Sequence, residues 1–171
     1  MLVSACLLGV RCRYDGRSKA SPALICLAHR VCLVPVCPEQ LGGLPTPRPP
    51  AVIRGGDGKD VLAGDARVQN EPGRDVTEAF VRGAREAVRL ARTFRVGLAV
   101  LKDRSPSCGL RTPYCDRPGG GSGVAAALLD SEGLRVVELD PSGALPPGLE
   151  ELAAGSAATG KAPGYRAGKG A

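Results

Sequence analysis

Apolar residues gather in short runs separated by polar, glycine- and proline-rich stretches, and the runs are of two kinds. LVSA at 2–5, VCLVPV at 31–36 and VGLAVL at 96–101 are brief, rich in Val and Leu, and bounded by turn formers, so they read as strands. LRVVEL at 134–139 reads as a fourth. Between 75 and 94 the period lengthens. Phe80, Ala84, Val88, Ala91 and Phe94 recur every three or four residues and predict one long helix with that stripe buried. Asp75 followed by Glu78 gives it a capping-box-like start. Two shorter helices are marked by their ends. Ser21 then Pro22 opens PALICLAHR, with Ala23, Cys26 and Leu27 on one face. Ser122 is expected to cap GVAAALLDSEG, which Gly133 closes. Two short runs around Gly-Asp-Gly predict a hairpin within 51–70.

Strands alternating with helices imply a layered α/β domain with a mainly parallel, Rossmann-like sheet. At 171 residues and 43% hydrophobic content the chain can bury a sizeable core, built from Val, Leu and Ala because aromatics are only 3%. The domain is expected to span 1–140. From 141 the sequence turns Gly/Ala/Pro-rich, and a largely disordered tail is expected to 171, with a short helix around 147–154. No apolar run approaches the roughly 18–20 residues of a membrane helix. MLVSACLLGV carries no basic leader, so the protein is expected to be cytoplasmic.

Right-handed crossovers place every strand-to-helix loop on one side of the sheet, the carboxyl edge where such folds bind ligands. Cys6, Cys37 and Cys108 each lie just beyond a predicted strand, so three thiols are expected to converge there. Seven cysteines in a cytoplasmic chain point to metal or catalytic use rather than disulfides. No CxxC pair occurs and His29 is the single histidine, which disfavours zinc ribbons and Cys/His zinc sites. Thiolates select zinc, copper(I) or iron–sulfur clusters, and three of them leave a 4Fe-4S cube one open iron. Glu39, two residues after Cys37, is placed to act as a general base or orient a water. Ser105 is placed to donate to a reacting group, and the SPS turn with Gly109 to present backbone N–H groups. Position alone leaves Cys6, Cys37 and Cys108 equally readable as small buried hydrophobes, and Glu39 and Ser105 as ordinary loop residues. Cys26 and Cys32 are expected to be buried on apolar faces, Cys12 and Cys115 are unassigned loop thiols, and His29 is a helix-end charge. The formal charge is +6. Arg82, Arg85, Arg89 and Arg92, interleaved with Glu78 and Glu86, read as a solvated helix face. With few aromatics to stack bases, nucleic-acid binding is the lesser reading.

VSACLLGVRCRYDG, VPVCPEQLGGLPTPRPP and LKDRSPSCG, with DVTEAFVRGAREAVRLA between them, together resemble a widespread bacterial domain family that includes the thiouracil desulfurases. The similarity runs in the same order over residues 1–140. It implies an enzyme that removes sulfur from a thiolated pyrimidine without net redox change. It further implies a 4Fe-4S cluster held by Cys6, Cys37 and Cys108, whose free iron takes the substrate sulfur and later releases it as hydrosulfide. Glu39 and Ser105 would assist the hydrolysis, and Cys12 would be dispensable. The implied partner is a small thiolated nucleobase, with thiolated tRNA as a further candidate.

Two features depart from that pattern. Val52 stands where relatives tend to carry an acidic residue, and the 110–121 stretch is shorter than usual. The first is expected to alter substrate choice and the second the lid over the site, with cluster binding surviving both. Two other functions remain readable from the sequence. A non-catalytic metal or sulfur carrier would use the same thiolates without turnover. An RNA-binding accessory domain would use the basic charge in a salt-dependent way.

Overall fold

A computed structural model of the chain describes residues 1–149. In chain order it runs β1 (Leu2–Ser4), a 3-10 turn (Ala5–Leu8), α1 (Pro22–Leu27), β2 (Val34–Val36), α2 (Pro38–Leu41), β3 (Ala51–Arg54), α3 (Gly58–Ala63), β4 (Arg67–Asn70), α4 (Thr77–Thr93), β5 (Leu98–Lys102), α5 (Val124–Ser131) and β6 (Arg135–Leu139). The four expected strands form one sheet in the order β2-β1-β5-β6, with every pairing parallel. The chain steps from β1 outward to β2, then returns across to β5 and β6. The winding therefore reverses between β1 and β5, where α/β sheets open a crevice.

The strands are apolar on both sides because helices cover both faces. Leu2, Ala99 and Leu101 pack with Ala87, Val88 and Ala91 of α4 and Leu129 of α5. Val3 and Val100 pack on the other side with Leu24 and Leu27 of α1. Leu145 and Leu149 join this second cluster, so the chain stays on the domain after β6. Most of the helix expected at 147–154, and the rest of the tail, lie outside the described residues. Among the described residues no helix is long and apolar enough to cross a membrane.

Several local expectations are corrected. The hairpin exists as the antiparallel pair β3–β4, but its second strand is Arg67–Asn70 and not the short run that follows Gly-Asp-Gly, residues 61–64. That run is helical because a capping box sits at Asp57. The Asp57 side chain accepts the Lys59 N–H at 2.9 Å, and the Asp60 carboxylate accepts the Asp57 N–H at 2.8 Å. Asp75 makes no such box. Its carboxylate accepts the N–H of Thr77 at 2.9 Å, one residue short of Glu78, while Glu78 points outward to Arg82. Phe94 falls past the end of α4 and is 54% exposed, whereas Phe80, Ala84, Val88 and Ala91 are buried as expected. Ser122 does not cap α5, since its hydroxyl turns to the Asp57 carboxylate. On α1 the buried residues are Leu24 and Leu27; Cys26 and Cys32 are exposed, not buried. His29 is exposed beyond the helix end.

Candidate active site

A cavity of about 740 Å³ opens beyond the carboxyl ends of β1, β2 and β5, and Cys6, Cys37 and Cys108 all line it. Each thiol is delivered by a different local device. Cys6 sits in the 3-10 turn that follows β1 directly, a turn that ends on Gly9 in the left-handed region at φ 92°. Cys37 is the N-cap residue of α2, fixed by Pro38 at the first helical position. Cys108 lies in a tight turn after β5. There the Ser105 hydroxyl oxygen accepts the N–H groups of Ser107 at 3.2 Å and Cys108 at 3.1 Å, and the Ser105 carbonyl accepts that of Gly109 at 2.9 Å. Ser105 therefore builds the turn that carries the cysteine. The expectation that this turn offers N–H groups to the cavity is corrected for Ser107 and Gly109, whose N–H groups are already bonded, as is that of Cys108.

The same turn covers the start of α5. The Pro106 carbonyl accepts the Val124 N–H, and the Ser107 carbonyl accepts those of Ala125 and Ala126. A Cβ on Gly123 would stand 2.6 Å from the Ser107 carbonyl, so glycine is required where loop and helix meet.

A fourth thiol belongs to the neighbourhood. Cys12 is buried against Cys6 and Ala5 with Cys37 packed alongside, and the Cys37 thiol donates to the Cys12 carbonyl at 3.5 Å. The sequence reading left Cys12 unassigned before the resemblance. Cys115 is elsewhere, donating its thiol to the Thr112 carbonyl at 3.4 Å near β3. All seven cysteines are free. Among the described residues no three His, Cys, Asp or Glu side chains meet about one point that would hold a single metal ion. The thiols line a shared space instead of converging on a point. A cubane cluster asks for the former, since each thiolate binds its own iron.

Glu39 projects into the cavity from α2, and its Oε2 accepts from Arg48 Nε at 2.7 Å. Arg48 is buried and also donates to the Pro45 carbonyl, the Thr46 hydroxyl and, at 3.0 Å, the Cys12 carbonyl. One guanidinium thus ties the carboxylate, the proline-rich loop and the Cys12 loop together. Arg48 was missed from sequence, although a lone arginine inside PTPRPP is its visible signal. Lys102 was missed too; it ends β5 at the cavity and pairs with Asp103 at 3.0 Å. Val52 also lines the cavity, and the 110–121 stretch reaches it through Tyr114. That stretch is anchored by Arg54–Asp116 at 3.2 Å and Arg117–Asp57 at 3.2 Å.

Burial pushes the Cys108 thiol up from 9.0 to about 12, with the nearby Cys37 and Glu39 acting in the same direction. Cys12 rises to about 11: the Cys37 contact pulls it down, but the Cys6 contact and burial outweigh that pull. The Cys12 contact and burial raise Cys37 as well. For Cys108 and Cys12 the folded metal-free chain holds protons that the unfolded chain gives up, so their contribution is full below pH 9 and is lost as pH rises towards 11–12. The melting temperature of the metal-free protein is expected to fall across that interval. Replacing Cys108 with serine should flatten part of the fall.

Fold and cavity together define a doubly wound α/β domain with a thiol-lined crevice at its carboxyl edge. A family model described as 2-thiouracil desulfurase matches residues 1–140, and the chain belongs to that family. It is 44% identical over 141 residues to the uncharacterized protein YbbK of Bacillus subtilis strain 168, covering 80% of this chain and 93% of that one. A solved structure, the 4Fe-4S-dependent thiouracil desulfidase TudS, is 40% identical and superimposes with a TM-score of 0.68, covering 81% of this chain and 89% of that one.

Proposed function

We propose that this protein removes sulfur from a thiolated pyrimidine by hydrolytic, non-redox cleavage of the carbon–sulfur bond, with a 4Fe-4S cluster held by Cys6, Cys37 and Cys108. The observation that carries the reading is that these three free thiols, from the ends of three parallel strands, line one cavity with Glu39 and Ser105. Soft, unbridged thiols are the donors an iron–sulfur centre takes, and a set of three leaves one iron without a protein ligand. When bound, the cluster supplies a Lewis-acid position that polarises a thiocarbonyl through its sulfur.

The chain's own residues account for the rest. Arg48 holds one oxygen of Glu39, leaving the other to orient a water and take its proton. The two N–H groups bonded to the Ser105 hydroxyl occupy its acceptor sites, so its own proton is free to donate towards the reacting group. The water oxygen forms the new bond to carbon and the carbon–sulfur bond breaks. The sulfur leaves with the water's protons as hydrogen sulfide or hydrosulfide. No electron acceptor is required.

The test is iron and acid-labile sulfide per chain after anaerobic reconstitution, followed by loss of thiouracil absorbance. About four iron and four sulfide are expected in the wild type. Cys6→Ala, Cys37→Ala and Cys108→Ala are each expected to lose most of the cluster and all turnover, while Cys12→Ala keeps both. Iron retained in all three ligand variants, or lost only with Cys12→Ala, would overturn the ligand set.

A further inference from the structure

We propose that the hydroxyls of Ser4 and Ser107 both donate to the sulfur of Cys108 when that cysteine holds the cluster, and so tune the electron density at the iron it binds. The inference rests on the ligand set proposed above and concerns two residues with no role in it. Ser107 is buried, and its hydroxyl finds no hydrogen-bond partner among the described residues. A buried hydroxyl left without a partner calls for one. The next residue is Cys108, whose sulfur is a weak acceptor as a thiol and a much stronger one as a metal-bound thiolate. Ser4, at the end of β1, lines the same cavity as Cys108. The Ser4 hydroxyl oxygen accepts the Lys102 N–H at 3.0 Å, which leaves its proton to be given away.

The usual alternative is closed in this loop. The N–H groups of Ser107, Cys108 and Gly109 are all taken by Ser105, so the backbone beside the cysteine has none to offer its sulfur. Hydroxyl donors take their place. Hydrogen bonds to a ligand sulfur withdraw charge from it, which raises the cluster's reduction potential and makes its irons better Lewis acids.

The experiment measures the midpoint potential and the iron–thiolate stretching frequencies of the anaerobically reconstituted full chain. Ser107→Ala and Ser4→Ala are each expected to lower the potential and raise a stretching frequency, and the double variant to shift both by about the sum. Ser122→Ala, which removes a buried hydroxyl bonded to Asp57, should shift neither. The metal-free Ser107→Ala protein should melt no lower than wild type, because its hydroxyl has no partner to lose there. An unchanged or raised potential in Ser107→Ala, or a lower melting temperature in its metal-free form, overturns the inference. A wild type that takes up no cluster overturns the functional reading itself, and that is seen before any variant is compared.

Discussion

Replacing Glu39 with glutamine is expected to slow desulfuration by about 10²- to 10⁴-fold while iron content stays at its wild-type value. The amide keeps an oxygen for Arg48 Nε, now 2.7 Å from the Glu39 carboxylate, and so keeps the geometry of α2. What it cannot do is take a proton from water. The amide also carries no charge to balance Arg48, so the melting temperature falls somewhat. Glu39→Ala goes further. It leaves a guanidinium that is only 4% exposed without its carboxylate, and breaking a buried ion pair from one side costs about 3–5 kcal/mol. Arg48 keeps its bonds to Pro45, Thr46 and Cys12, so the lower part of that range is expected. Both variants should therefore lose turnover, and the alanine variant should lose more stability than the glutamine variant, which keeps an acceptor for Arg48. Full turnover in Glu39→Gln would remove the carboxylate from the mechanism. A protein that only stored or carried sulfur would tolerate the glutamine change, and paired assays of turnover and thermal melting separate the two cases.

The parallel sheet and the thiols at its edge were legible because the information is local. Each strand is an apolar run, three of the four runs are followed by a cysteine, and only the crossover rule is needed to bring those loops together. What was not legible depended on partners distant in the chain. Asp57 and Asp75 look alike in sequence, yet the first builds a capping box with Asp60 and the second bonds only to Thr77. Ser122 resembles a helix cap until Asp57, far back in the sequence, takes its hydroxyl and the Pro106 and Ser107 carbonyls cap α5 instead. Cys26 and Cys32 sit among apolar residues in sequence, but α1 turns Leu24 and Leu27 inward and leaves Cys26 on the surface, while Cys32 falls before β2 begins at Val34 and is exposed. Arg48 is the clearest case at the site. Its role consists of contacts with Cys12 and Glu39, residues on two other segments of the chain, and nothing in its own surroundings names them.

Gly83→Ala is expected to destabilise the protein by about 3 kcal/mol or more and to empty the site of iron, even though the change improves helix propensity. Gly83 lies in the middle of α4, where alanine alone would favour the helix by about 1 kcal/mol. Packing decides against it. A Cβ at this position would stand 1.8 Å from the Pro38 carbonyl oxygen and 3.0 Å from the Gly42 nitrogen. The reverse contact is as close, since a Cβ on Gly42 would stand 1.9 Å from the Ala79 carbonyl oxygen. Both obstacles are backbone, so no side chain can rotate away and α2 must lift off α4. Arg82 also bonds from α4 to the Gly42 carbonyl, so this attachment would be strained at the same time. α2 carries Cys37 at its cap and Glu39 in its first turn, so displacing it moves a proposed ligand and the proposed base together. Gly97→Ala is the control: nothing lies within 4 Å of its Cβ, and its backbone is outside the left-handed region. Thermal melting and iron content on the two variants test the point. A Gly83→Ala protein with wild-type melting temperature and full iron would show that α2 does not rely on this contact to hold the site.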